Sequence, residues 1–145
     1  MSASPADCVF CAIVATRAEA SLVNEDETAV AFLDINPITP GHALVVPRAH
    51  AASLAELDAE LGGHLFRVAM RVASALRASP LRVEGVNLFL SDGAAAGQDV
   101  FHVHLHVLPR FAGDGLRIAH EAGAPGREAL DAQAAAIRRA MAIRG

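Results

Sequence analysis

"FHVHLHVLPR", residues 101–110, alternates two kinds of side chain with a period of two. Side chains on an extended chain point alternately to opposite faces, so Phe101, Val103, Leu105 and Val107 share one face and His102, His104 and His106 the other. The apolar face belongs in a core, and the pattern predicts a strand over residues 99–108. On the opposite face stand three imidazoles in a row, roughly 7 Å apart. One histidine there would most simply be a solvated polar group. Three in succession open two further readings. Histidines two apart on a strand can share a zinc ion, with a further ligand from elsewhere in the fold. A neutral imidazole can also attack phosphorus while its neighbours donate to phosphate oxygens and the leaving group.

Working outward, "SDGAAAGQ" (91–98) is a small-residue loop. Gly93 and Gly97 allow backbone N–H groups to approach an anion closely, and Gln98 adds a neutral donor near the histidine face. Before it, "GVNLFL" (85–90) reads as a strand, as do 21–24 and 28–33, joined by a polar turn at Glu25-Asp26-Glu27. "NPITPGH" (36–42) is a loop whose prolines and glycine forbid regular structure, and "ALVVP" (43–47) is a buried strand. Leu54, Leu57, Leu61, Leu65, Val68, Val72 and Leu76 recur at three- and four-residue steps, predicting a helix over about 58–78. Ser53 with Glu56 resembles a capping box and Asp58 offers a second start. Short and terminal helices are expected at 8–15 and 127–143. Antiparallel strands with helices on one side make an α+β domain.

With 145 residues the chain suits one domain, able to bury roughly 70% of its unfolded surface. The net charge of −4 leaves no basic footprint for long nucleic acid. All twelve basic residues are arginine, which removes the lysine of phosphate-binding loops and every Schiff-base mechanism. The N-terminus lacks a basic region followed by a long apolar run, and no stretch has the apolar length of a membrane span, so a cytoplasmic, non-membrane protein is expected. Cys8 and Cys11 are too close in sequence to staple a fold. Their C-x2-C spacing suggests metal or redox work, and a tetrahedral site built on them needs two more ligands.

Taken with "AFLDINPITPGHALVVPRAH" (31–50), "GQ" at 97–98 and "CVFC" at 8–11, the run "HVHLHV" resembles the H-φ-H-φ-H-φ signature of the histidine triad (HIT) superfamily, φ being apolar. The likeness covers nearly all of the chain to residue 110. "HVLPR" is more similar to the fragile-histidine-triad branch and the front half to the Hint-like branch. The resemblance implies a HIT-like fold: about five antiparallel strands, one long helix and a C-terminal helix. One domain would span 1–145, with a core at about 6–110 and a variable extension at 111–145.

It also implies a hydrolase or transferase acting at the α-phosphate of a purine nucleotide, of the dinucleoside polyphosphate or nucleoside phosphoramidate type. By matching position His104 would be the nucleophile and form a covalent nucleotidyl-histidine. His106 would donate to the phosphate or the departing group, and His102 would order the site or bind metal. Asp34 would accept from the ribose hydroxyls, with Phe32, Ile35 and Phe10 forming the base pocket. Cys8, Cys11, His50 and His102 would hold a structural zinc, with no organic cofactor. A homodimer is implied, and the alanines around Ala69 and Ala73 suit either helix–helix or core packing.

Two positions depart from the family pattern. Ser91 stands where asparagine or glutamine is usual, and Asp99 where serine or threonine contacts the phosphate. Both keep an alternative open, a nucleotide-binding or zinc-binding regulatory protein with little or no catalysis. His42, His64 and His120 are expected as surface or capping histidines.

Overall fold

The computed structural model describes residues 5–144 and divides into two compact units that meet between Asp114 and Gly115. The ends of the expected 1–145 domain, residues 1–4 and 145, lie outside the described residues. The first unit holds α1 (Val9–Val14), β1 (Leu22–Glu25), β2 (Ala29–Leu33), β3 (Ala43–Pro47), α2 (Ala59–Ala78), β4 (Gly85–Leu90) and β5 (Leu105–Arg110). The strands form one antiparallel sheet in the order β1-β2-β3-β5-β4. The second unit carries α3 (Arg127–Arg144), a helix with no buried residue. This is the expected α+β architecture. Among the described residues no helix is long and apolar enough to cross a membrane.

Both faces of the sheet centre are covered, so β2 and β3 are near-continuous apolar runs. One face presents Ala29, Ala31, Ala43, Val45, Leu105 and Val107 to Leu65, Val68, Ala69, Val72 and Leu76 of α2. Each large aliphatic side chain buried there contributes roughly 1.5–3 kcal/mol. Ala69 is fully buried in this cluster and Ala73 packs against it, so the alanine stripe serves the core. α2 starts at Asp58, whose Oδ1 accepts from the Leu61 N–H at 3.1 Å. The Ser53–Glu56 box does not form: Ser53 makes no side-chain cap, and Glu56 Oε2 accepts from the Ala52 N–H instead.

The other face carries a row set by register. Phe32 pairs with Leu44, Leu44 with His106 and His106 with Phe89, so these four side chains lie side by side away from α2. Here the expected 99–108 strand is corrected. Ladder pairing begins only at Leu105 and runs to Arg110. Residues 100–102 bend instead, and Val103, which reaches the α2 core, donates a backbone bond to the Ala51 carbonyl in the irregular segment beside it. Pro109 is tolerated inside β5 because β3 pairs only as far as Val107. The Pro109 carbonyl accepts instead from Thr39 Oγ1 at 2.7 Å.

Candidate functional site

An open pocket of ≈ 880 Å³ lies on the face away from α2, lined by Phe10, Phe32, Asp34, Ile35, Leu44, Asp99, His104 and His106 among others. It is within the range that holds a nucleotide-sized ligand. The histidines are not a solvated face: His102 and His104 are buried and His106 half-buried. The tautomer of each is set by its hydrogen bonds, with the proton on Nε2 of His102 and His106 and on Nδ1 of His104.

His102 donates from Nε2 to the Pro47 carbonyl at 2.8 Å, which leaves the Nδ1 lone pair facing the thiols of Cys8 and Cys11, each 3.5 Å away. Cys11 Sγ is also 3.3 Å from His50 Nδ1. A tetrahedral zinc with Zn–S of about 2.3 Å and Zn–N of about 2.05 Å separates S from N by about 3.6 Å. The four donors therefore already stand at close to coordination spacing, and a backbone carbonyl fixes the tautomer of His102 as such sites require. Without a metal, burial and the neighbouring Cys8 hold the Cys11 thiol up to about 11.

His104 donates from Nδ1 to the His102 carbonyl at 2.8 Å, so Nε2 keeps its lone pair for the pocket. Phe10 packs edge-on against the ring, with centroids 5.1 Å apart. His106 is set from the other side. The Ile38 N–H donates to His42 Nδ1 at 3.2 Å, which puts the His42 proton on Nε2. That Nε2–H donates to His106 Nδ1 at 2.9 Å and leaves His106 with an Nε2–H donor. Phe89 stacks on His106 at 4.1 Å with planes 9° apart. Asp34, His42 and His106 also cluster closely enough for a metal. The 2.9 Å between the rings is nonetheless a hydrogen-bond distance, shorter than the roughly 3.3 Å between two zinc-bound nitrogens.

His42 corrects the expectation of a surface histidine: it is 2% exposed. The preceding Gly41 makes this possible. Its φ is +90°, and a Cβ there would meet Leu81 Cδ1 at 2.9 Å and Leu76 Cδ2 at 3.0 Å. His64 ties α2 to the β1–β2 turn by donating to Asp26 Oδ2 at 2.8 Å. That bond, after the Thr28 backbone N–H, helps hold the Asp26 carboxyl down at about 2. His120 lies exposed in the second unit.

A model of the HIT domain matches residues 15–113. The chain belongs to the HIT family. An uncharacterized HIT-like protein of Borreliella burgdorferi is 43% identical over 111 residues, 76% of this chain and 80% of the relative. A Zn-bound histidine triad family protein from Mycobacterium smegmatis superposes with a TM-score of 0.76 at 41% identity, covering 94% of this chain and 99% of that one. A histidine triad nucleotide-binding protein from Candida albicans gives 0.86 at 26% identity, covering 96% and 100%.

In this HIT chain, Phe10, Phe32, Ile35, Asp34, Asp99, His104 and His106 come together on the pocket, while Cys8, Cys11, His50 and His102 form the neighbouring cluster. Asp34 Oδ1 accepts from the Asn36 N–H at 2.9 Å in a local turn. Ser91 is half-buried just beyond β4 and is not among the lining residues. Gln98 is corrected from a ligand donor to a clamp on the loop. Its Oε1 accepts from Gly93 N–H at 2.8 Å, and its Nε2 donates to the Ala52 carbonyl at 2.8 Å and the Val100 carbonyl at 3.1 Å. Gln98→Ala leaves these backbone groups unpaired and is expected to cost about 2 kcal/mol in a urea titration. Unchanged stability with weakened ligand binding would instead place the amide at the ligand.

Burial lowers the pKa of His42, and lowers that of His106 to about 4 with help from His104 and His42. Unfolding returns these imidazoles to a value of about 6.5, so between there and about pH 4 the unfolded chain binds more protons. Their contribution to stability is whole above pH 6.5 and is lost as pH falls toward 4. The urea midpoint should therefore drop from pH 7 to pH 5. Asp26 does not obscure this window, because its contribution is lost only below about 3.8. A midpoint equal or higher at pH 5 would contradict neutral, buried imidazoles.

Proposed function

We propose that this HIT protein is a nucleotidyl hydrolase or transferase in which His104 Nε2 attacks the α-phosphate of a purine nucleotide. One observation carries the reading: the Nδ1–H of His104 is held by a backbone carbonyl, and the bare Nε2 lone pair lies on the wall of a nucleotide-sized pocket. Phe10, Phe32 and Leu44 with exposed Ile35 suit a purine ring. Asp34 Oδ2, not used in the turn, suits the vicinal ribose hydroxyls, since a carboxylate accepts from both. The Candida neighbour, described as nucleotide-binding, supports the ligand class.

In the reaction the Nε2 lone pair forms a bond to phosphorus, and the bond to the leaving group breaks with its electron pair. The departing atom takes a proton from solvent at His106, whose Nε2–H is aimed by His42. Water, or another acceptor, then attacks phosphorus. The Nε2–P bond returns its electrons to His104, and the acceptor's proton goes back to solvent. Cys8, Cys11, His50 and His102 would hold zinc, which supplies the charge that keeps both sulfurs as thiolates and cross-links α1 to the chain before β5. The four fit it by donor set and spacing, and the zinc-bound mycobacterial neighbour agrees. The free thiols suit a reducing, cytoplasmic compartment. A homodimer along β4 suits that strand, an open edge whose six residues are all half-buried.

A panel of diadenosine polyphosphates and adenosine phosphoramidates, run with wild type and His104→Ala, tests the proposal. If wild type cleaves neither class faster than the variant, the enzymatic reading fails. A binding or regulatory role, which Asp99 beside the nucleophile favours, then replaces it.

A further inference from the structure

We infer that Asp99 sorts leaving groups, favouring a nucleotide whose departing group carries a positive charge and disfavouring one that departs with further phosphates. The inference rests on His104 acting at an α-phosphate as proposed above. Three carboxylates line the pocket, Glu19, Asp34 and Asp99, and no arginine is among the lining residues. The chain has no lysine to add. His106, the imidazole next to the nucleophile, is held neutral by burial, with its pKa down at about 4. Sites that handle polyphosphates surround the extra charge with arginine, lysine or metal clamps. This pocket offers the opposite field.

Asp99 stands where that field acts on the chemistry. Its Oδ1 is 3.9 Å from His104 Nε2, and its side chain is 86% exposed. The Val100 N–H donates to the same oxygen at 2.9 Å and orients the carboxylate, leaving Oδ2 for a partner. In an in-line attack with Nε2 about 3–3.5 Å from phosphorus, the leaving atom sits about 5 Å from Nε2. Asp99 is therefore within reach of groups carried next to the leaving atom. An ammonium there gains a charge-assisted hydrogen bond, whereas a second phosphate is repelled. In the free protein, water and salt screen this carboxylate. A bound substrate covers it and strengthens the interaction. The substrate class that fits is a nucleoside phosphoramidate whose amine bears a further ammonium. In its cleavage the P–N bond breaks, and the nitrogen keeps the bonding pair and takes a proton from solvent.

Three probes separate the possibilities: AMP amidated with a diamine, AMP amidated with the matching monoamine, and a diadenosine polyphosphate. At low salt wild type should favour the diamine over the monoamine in kcat/KM by about ten-fold, the scale of one charge-assisted hydrogen bond. That ratio should fall toward one in Asp99→Asn and Asp99→Ser and with added salt. Relative turnover of the polyphosphate should rise in both variants. A diamine-to-monoamine ratio unchanged by both substitutions would overturn the inference. So would loss of turnover of all three probes in both folded variants, since Asp99 would then serve the chemistry itself. Failure of the parent reading looks different: His104→Ala would match wild type on every probe.

Discussion

His104→Ala is expected to lower turnover of an adenosine phosphoramidate by on the order of 10⁶-fold, the scale of deleting a nucleophile, while AMP affinity changes by less than about threefold. The two halves of this expectation come from separate parts of the site. Bond formation to phosphorus needs the Nε2 lone pair, which the Nδ1–H bond to the His102 carbonyl leaves bare. Nucleotide affinity comes from the apolar wall of Phe10, Phe32 and Leu44 and from the Asp34 carboxylate, none of which the substitution removes. A phosphoramidate progress curve and an AMP titration on the same two proteins check both halves. Equal losses of affinity and turnover would mean that His104 binds the ligand rather than attacking it.

Removing zinc is expected to produce the second large effect, on stability first and on turnover through it. Binding to the folded state alone adds about 4 kcal/mol when free zinc exceeds its dissociation constant a thousandfold. For a chain of this size that is a shift on the order of 10 °C in Tm. Strong chelation or Cys8→Ser should therefore lower Tm by about that amount and release one zinc equivalent per chain. Turnover should fall with it, because the residue that would bind zinc through Nδ1 also holds His104 through its carbonyl. His104→Ala should keep its zinc. A protein that purifies without zinc, or whose Tm ignores both treatments, would reduce the Cys8–Cys11–His50–His102 cluster to four packed side chains.

Much of this was legible from periodicity. The helix over 58–78 is α2 because its apolar stripe had only one face to bury, and Asp58 prevailed as cap because its Oδ1 reaches the Leu61 N–H. β2, β3 and β4 are within a residue of their expected spans. β5 began later because alternation reports which way side chains point, not whether a neighbouring strand is present to pair. His42 and Phe89 escaped for a related reason. Their place beside His106 follows from the pairings of Leu44 and Phe89 with His106, and register between distant strands is not written in either segment alone. The alternation of His42 with Leu44 was the available signal, usable only once that register is known. In sequence, a glutamine after glycines reads as a free donor, which points Gln98 at a ligand. In the fold, the positive φ of Gly93 and Gly97 lets the loop close around the amide instead.

His104 should become covalently nucleotidylated during turnover, which rapid quenching at alkaline pH followed by peptide mass spectrometry detects. With an adenosine phosphoramidate, one adenylyl group is expected on the peptide containing His104, formed before the first turnover ends and absent in His104→Ala. Steady turnover by wild type with no adenylylated peptide at any quench time would contradict it.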